Sequence, residues 1–141
     1  MRLIKIILIL SFINSLAYAD KDMKIGSKGN LNDVSRVVKV VMYDNYYEPS
    51  SFKIKAGETI KFELVNAGEL VHEFNIANKM MHMKHQPQMK KMVENEILFA
   101  DSIDKNKMKK MAKIDKSMGH SHSNSVLLEP KQKGDCLLYT S

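Results

Sequence analysis

Tryptophan is absent from the 141 residues, proline occurs three times, glycine six times and cysteine once. A single cysteine, Cys136, excludes an internal disulfide framework and any zinc site built on Cys-x-x-Cys pairs. Outside the N-terminus no apolar run approaches the roughly 18 residues that a bilayer span needs. Positive charge is in mild excess, with 22 Lys+Arg against 16 Asp+Glu and a formal charge of +6. No nucleic-acid-binding motif accompanies it, so a nucleic-acid partner is not expected. No nucleophile–base pair and no paired carboxylates stand out, so the chain is not expected to be an enzyme. What is plentiful is methionine, eleven in all, and a hydrophobic content of 44% that argues for a packed domain.

Residues 1–19 read as a secretory signal. Arg2 and Lys5 form a charged start, residues 6–16 are mostly apolar, and Ala17 and Ala19 place small side chains where a signal peptidase reads them. Asp20 would begin the mature chain, with two fewer positive charges and no stable membrane span. An uncleaved anchor is the alternative. Residues 20–35, polar and rich in Lys, Asn and Gly, read as a flexible leader.

Strand signals follow. Residues 36–43 are β-branched, and Phe52 and Ile54 alternate with Lys53 and Lys55. In residues 59–65, Ile60, Phe62 and Leu64 alternate with Lys61 and Glu63. Residues 71–76 put His72, Phe74 and Ile76 on one face, and turns with Gly57 and Gly68 separate the strands. Short strands at this spacing predict a β-sandwich. Residues 78–123 then change character, with Lys, helix formers and eight of the methionines. Because Pro87 suits a first helical position, the sequence predicts one helix over residues 87–100. A second is predicted over residues 102–117, capped by Asp101 or Ser102, with Asp104 in its first turn. Residues 125–128 resume a strand and residues 129–134 form a turn.

On position alone His72 reads as a core histidine. The string around it reads differently. Tyr46, Tyr47, Glu48, Pro49, Ser50, Ser51 and Phe52, then Lys55 to Ile60, then Phe62, Asn66, Gly68, His72, Glu73 and Phe74 resemble the plastocyanin/azurin-like cupredoxins of the bacterial periplasm. The resemblance spans residues 37–76 and resumes at residues 124–130. It implies a Greek-key cupredoxin-like β-sandwich, mainly β, with residues 78–123 as a helical insertion, a periplasmic location and copper as cofactor. It also implies that His72 is the first copper ligand, the others being a Cys, a second His and usually a Met in one C-terminal loop. Cys136 does not match that Cys, since only Leu, Leu, Tyr, Thr and Ser follow it. On this reading the sandwich is incomplete, residues 124–134 are the resumed strand and turn, and residues 135–141 are a foreign tail.

The insertion carries its own chemistry. Met80, Met81, His82, Met83 and His85 crowd into six residues, and Met118, His120 and His122 follow. Thioether sulfur suits Cu(I) in an oxidising compartment and imidazole suits Cu(II) as well, so these residues are candidate auxiliary copper ligands. Met89, Met92, Met108 and Met111 fall at helical spacing and read as core filler. The six Lys of residues 105–116 read as a solvated face. The function expected is periplasmic copper binding in tolerance or delivery, with a periplasmic redox or copper-transport protein as partner. The alternatives are a type-1 copper electron carrier, for which the insertion is only packing, and a metal-free secreted interaction module.

Overall fold

The computed structural model describes residues 25–141. The expected signal and the first residues of the expected leader lie outside them. Among the described residues seven strands are formed: β1 (Gly26–Lys28), β2 (Arg36–Met42), β3 (Tyr47–Glu48), β4 (Thr59–Asn66), β5 (His72–Asn75), β6 (Ser125–Leu128) and β7 (Lys133–Thr140). They build a five-stranded mixed sheet in the order β1-β7-β4-β2-β3 and a two-stranded antiparallel sheet of β5 and β6. The alternation in β4 sets the core. Ile60, Phe62 and Leu64 are buried, and register brings Val38 and Val40 of β2 beside Phe62 and Leu64, and Cys136 and Leu138 of β7 beside Phe62 and Ile60. Phe74 of β5 and Leu128 of β6 close this core from the second sheet. Phe62 stacks at a tilt against Phe52 on one side and Phe74 on the other, with ring centroids 5.4 and 5.0 Å away. The chain is mainly β, as expected, and Phe52 and Ile54 reach this core from a segment without ladder pairing.

Three boundaries differ from expectation. Part of the expected leader is β1, which pairs with β7, and a short 3-10 turn (Leu31–Asp33). Gly26 permits this pairing: a Cβ there would come within 2.0 Å of the Tyr139 carbonyl oxygen. Residues 135–141 are not set apart structurally at Gly134. Lys133–Thr140 runs as one strand between β4 and β1, with Cys136, Leu138 and Thr140 turned inward by the same period of two that governs β4. The third difference is in the insertion. The helix α1 occupies Lys79–Glu94, so Pro87 lies in its interior rather than at its start. Asn78 sets the true start, its side-chain oxygen accepting the Met81 backbone N–H at 2.8 Å. The helix α2 is Lys105–Ala112, and Asp104, not Asp101 or Ser102, caps it by accepting the Lys107 N–H at 2.8 Å.

The insertion has a core of its own. Met92 and Ile97 are fully buried with Met118, and Met89, Met108, Met111, Leu98 and Leu127 pack on them. The helical-stripe methionines therefore serve packing. β5 and β6 divide the two cores. Phe74, Val126 and Leu128 face the sandwich, while Leu127 faces the insertion. Pro87 costs α1 a backbone hydrogen bond and is about 3 kcal/mol less favourable than Ala in a helix interior, part of which the burial of His85 and Met92 in the same helix can offset. Pro87→Ala should accordingly stabilise the protein by about 2 kcal/mol in denaturant unfolding.

Candidate metal centre

Successive strand residues point to opposite faces, so β5 sends His72 and Glu73 to different places. His72 joins Asp44, whose carboxylate lies 2.9 Å from Nε2. The Asp44 carboxyl is held below the usual carboxylate range, first by the Glu69 backbone N–H it accepts and then by His72. The edge of the Tyr47 ring lies against the imidazole. With Nε2 directed to a carboxylate, Nδ1 is the nitrogen left for a metal, an arrangement that fixes ring orientation and raises ligand basicity. Gly68 keeps the space: a Cβ there would stand 2.1 Å from Asp44 Oδ1 and 2.9 Å from His72 Nε2. Gly68→Ala should separate the pair, shift the His72 imidazole resonances in NMR spectra and cost about 1–3 kcal/mol as overpacking.

Glu73 faces the insertion, where two imidazoles meet its carboxylate and a third packs against those two. Its Oε1 lies 2.7 Å from His85 Nε2 and 3.1 Å from His120 Nε2, and accepts a hydrogen bond from the Ser125 hydroxyl. The rings of His85, His120 and His122 form a near-equilateral triangle with centroids 5.1 to 5.3 Å apart. Each arrives from a different device. His85 is one of two buried residues of α1, and its Nδ1 meets Gln88 Oε1 at 2.9 Å one turn on. His120 ends the 3-10 turn Lys116–Gly119 with φ of 46°, left-handed backbone that a side chain other than glycine adopts at a cost. That conformation aims its ring at Glu73. His122 follows two residues later, beside Ser125.

Burial pushes the Glu73 carboxyl up, but hydrogen bonds from His120 and Ser125 and the charges of His85 and His120 outweigh it and hold the carboxyl at about 2. His122 is pushed down by burial and by the neighbouring His120 and His85 imidazoles, which favours its neutral, ligand form. Among the described residues, Glu73, His85 and His120 are the one group whose ligand atoms all lie within 4.8 Å of one another. An open cleft of about 200 Å³, lined by Met81, His85, Gln88, His122 and Ser125 among others, lies beside this group and reaches His85.

The structure thus gathers His85, His120 and His122 from the candidate residues and separates the rest. His82 is exposed, its ring accepting from Gln86, and lines a different groove with Tyr47 and Phe52. Met80 and Met83 are exposed, Met81 edges the His85 cleft, and Met118 is buried in the insertion core. Glu73 escaped the sequence reading, although its alternation with His72 already placed it opposite that face. Cys136 is no partner for His72. It sits in mid-strand opposite Phe62, donates to the Ser123 carbonyl at 3.4 Å, and is pushed up to about 11 by burial. It is a core thiol rather than a thiolate ligand.

A two-sheet β-sandwich with one oriented imidazole at the edge of β5 defines a class, and comparison with known proteins specifies it. The family model for the cupredoxin-like domain matches residues 6–102, and the chain belongs to that family. The chain is 37% identical over 116 residues to the copper-resistant cuproprotein CopI of Pseudomonas aeruginosa, covering 78% of this chain and 64% of that protein. It is 31% identical over 74 residues to the protein of the same name from Rubrivivax gelatinosus, covering 52% of this chain and 45% of that one. The chain therefore spans two thirds or less of the length of these curated relatives. No solved structure matches significantly. No helix among the described residues is long and apolar enough to cross a membrane.

Proposed function

We propose that the protein is a periplasmic copper-binding cupredoxin that acts in copper tolerance, binding the ion rather than catalysing a reaction. The observation that carries the reading is the convergence of His85 and His120 on Glu73 with the His122 ring packed against both, because an insertion needed only for packing has no reason to gather three imidazoles. The 37% identity to a copper-resistant cuproprotein supports the same ion. His72 fits the imidazole of a cupredoxin copper site: it is largely enclosed and oriented by Asp44 through Nε2, which leaves Nδ1 as the nitrogen to offer a metal. Copper bound there would supply a redox-active centre, while the protein fixes the ring and keeps water from most of it. The signal-like residues 1–19 support export to the periplasm, where copper is met and a redox or copper-transport protein would be the partner.

A single-site electron carrier is the rival, and the three-imidazole cluster disfavours it. The test is growth on copper. Cells lacking the gene should stop growing at a lower copper concentration than the parent, and the intact gene should restore the limit. Equal limits with and without the gene would contradict the proposal.

A further inference from the structure

We infer that Glu73, His85 and His120, with the His122 ring packed beside them, form a metal site of their own, separate from His72, that takes a borderline divalent cation, Cu(II) above all, through two imidazole nitrogens and one carboxylate oxygen. This rests on the copper-binding reading and deepens it by naming the site and the oxidation state.

The donor set argues for the ion. Imidazole and carboxylate suit Cu(II) and Zn(II), and among divalent first-row ions such a site holds Cu(II) most tightly. Cu(I) prefers thioether sulfur, and the structure directs those sulfurs elsewhere: Met80 and Met83 are about half exposed, and Met118 is in the insertion core. Met81 alone edges the cleft.

The geometry needs little change. Ligand atoms 2.0–2.1 Å from one metal in a tetrahedral set stand roughly 3.3 Å apart. Glu73 Oε1 already lies 2.7 and 3.1 Å from the two imidazole nitrogens. A metal would replace the shared proton of each hydrogen bond, with the two oxygen–nitrogen distances opening by about 0.6 and 0.2 Å. The outer partners are in place as well. A metal-bound histidine ordinarily gives its other ring N–H to an oxygen, and Gln88 Oε1 waits at His85 Nδ1. Ser125 holds the carboxylate. The left-handed backbone at His120 is a strained conformation kept where it points a ring into the cluster. β5 separates the two sites, since His72 and Glu73 leave its opposite faces.

The full chain, titrated with copper(II) alone and followed by electron paramagnetic resonance and equilibrium dialysis, tests the inference. The expected spectrum shows coupling to two or more imidazole nitrogens. It should persist in His72→Ala and in Met81→Leu, and vanish in the double variant His85→Ala/His120→Ala with affinity at least about 100-fold weaker. Retention of the spectrum in a folded double variant, or its loss in His72→Ala alone, would overturn the inference. Should the double variant not fold, Glu73→Gln keeps the shape and removes the charged ligand. Its copper(II) affinity should fall about tenfold or more, and unchanged affinity would overturn the inference. These readings are independent of growth on copper. A strain indifferent to the gene would sink the tolerance role and leave the site standing, whereas an unaltered double variant would sink the site alone.

Discussion

Asn66→Leu should lower stability by about 3 kcal/mol or more and release the loop that holds His72. Asn66 is fully buried at the end of β4. Its amide donates to the Leu70 carbonyl at 2.8 Å and to the Leu128 carbonyl at 2.9 Å, and its oxygen accepts the Gly68 N–H at 2.9 Å. One side chain thus ties the first sheet to β6 and closes the 66–70 loop under the Asp44–His72 pair. Leucine fills the same space but leaves three backbone groups unpaired, each worth about 1–3 kcal/mol when buried. Denaturant unfolding reads the stability, and broadening of the His72 resonances reads the loop. A change below about 0.5 kcal/mol with sharp, unmoved His72 resonances would mean that water or a shifted loop replaces all three bonds.

Acid should destabilise the metal-free protein through Glu73. The groups that face this carboxylate are His85 from α1, His120 and the nearby His122 from the loop after the 3-10 turn, Ser125 from β6, and Asn75 of β5, whose amide donates to it at 3.3 Å. Its folded value of about 2 lies below the ordinary value of 4.5. A depressed carboxyl contributes stability that is fully present above the unfolded value and is lost as pH falls toward the folded one. The window is therefore pH 4.5 down to about 2. At about 1.4 kcal/mol per unit the contribution is about 3 kcal/mol, and Glu73 is enclosed enough for solvent screening to leave most of it. Between pH 6 and pH 2.5 the wild type should lose about 2 kcal/mol more than Glu73→Gln in denaturant unfolding. Parallel losses would show that the imidazoles do not hold the carboxylate.

The contrast between these two residues shows what the sequence reveals. Asn66 lies in a strand whose alternation is plain, and the bounds of β6 and most of β4 follow from pattern alone because one face of each strand must be buried. The resemblance to the cupredoxins, carried by residues 37–76, agrees with the family the chain belongs to. Glu73 looks like an outward-facing strand residue, because its partners His85 and His120 lie 12 and 47 residues away. Only the folded insertion reveals that the outward face is covered. Pro87 misdirects the helix start for a similar reason. Local preference places it at a first turn, yet Asn78 caps the helix earlier and the burial of His85 and Met92 holds the interior proline in helix. His82 and His85 are indistinguishable by composition, and a rotation of 300° along α1 separates the exposed one from the buried one. The stretch after Gly134 shows the reverse limit. Cys136, Leu137, Leu138 and Tyr139 are apolar in a row, so no alternation marks a strand in the sequence, and the strand is defined by its pairing with β1 and β4.

The central proposal is that the protein binds copper in the periplasm. The direct measurement is the copper content of the protein recovered in its native form from the periplasmic fraction of copper-grown cells, by native mass spectrometry and elemental analysis. The account predicts recovery in that fraction with at least one copper ion per chain, and a lower content after substitution of His85 and His120. Recovery without copper, or with the same content after those substitutions and that of His72, would contradict it.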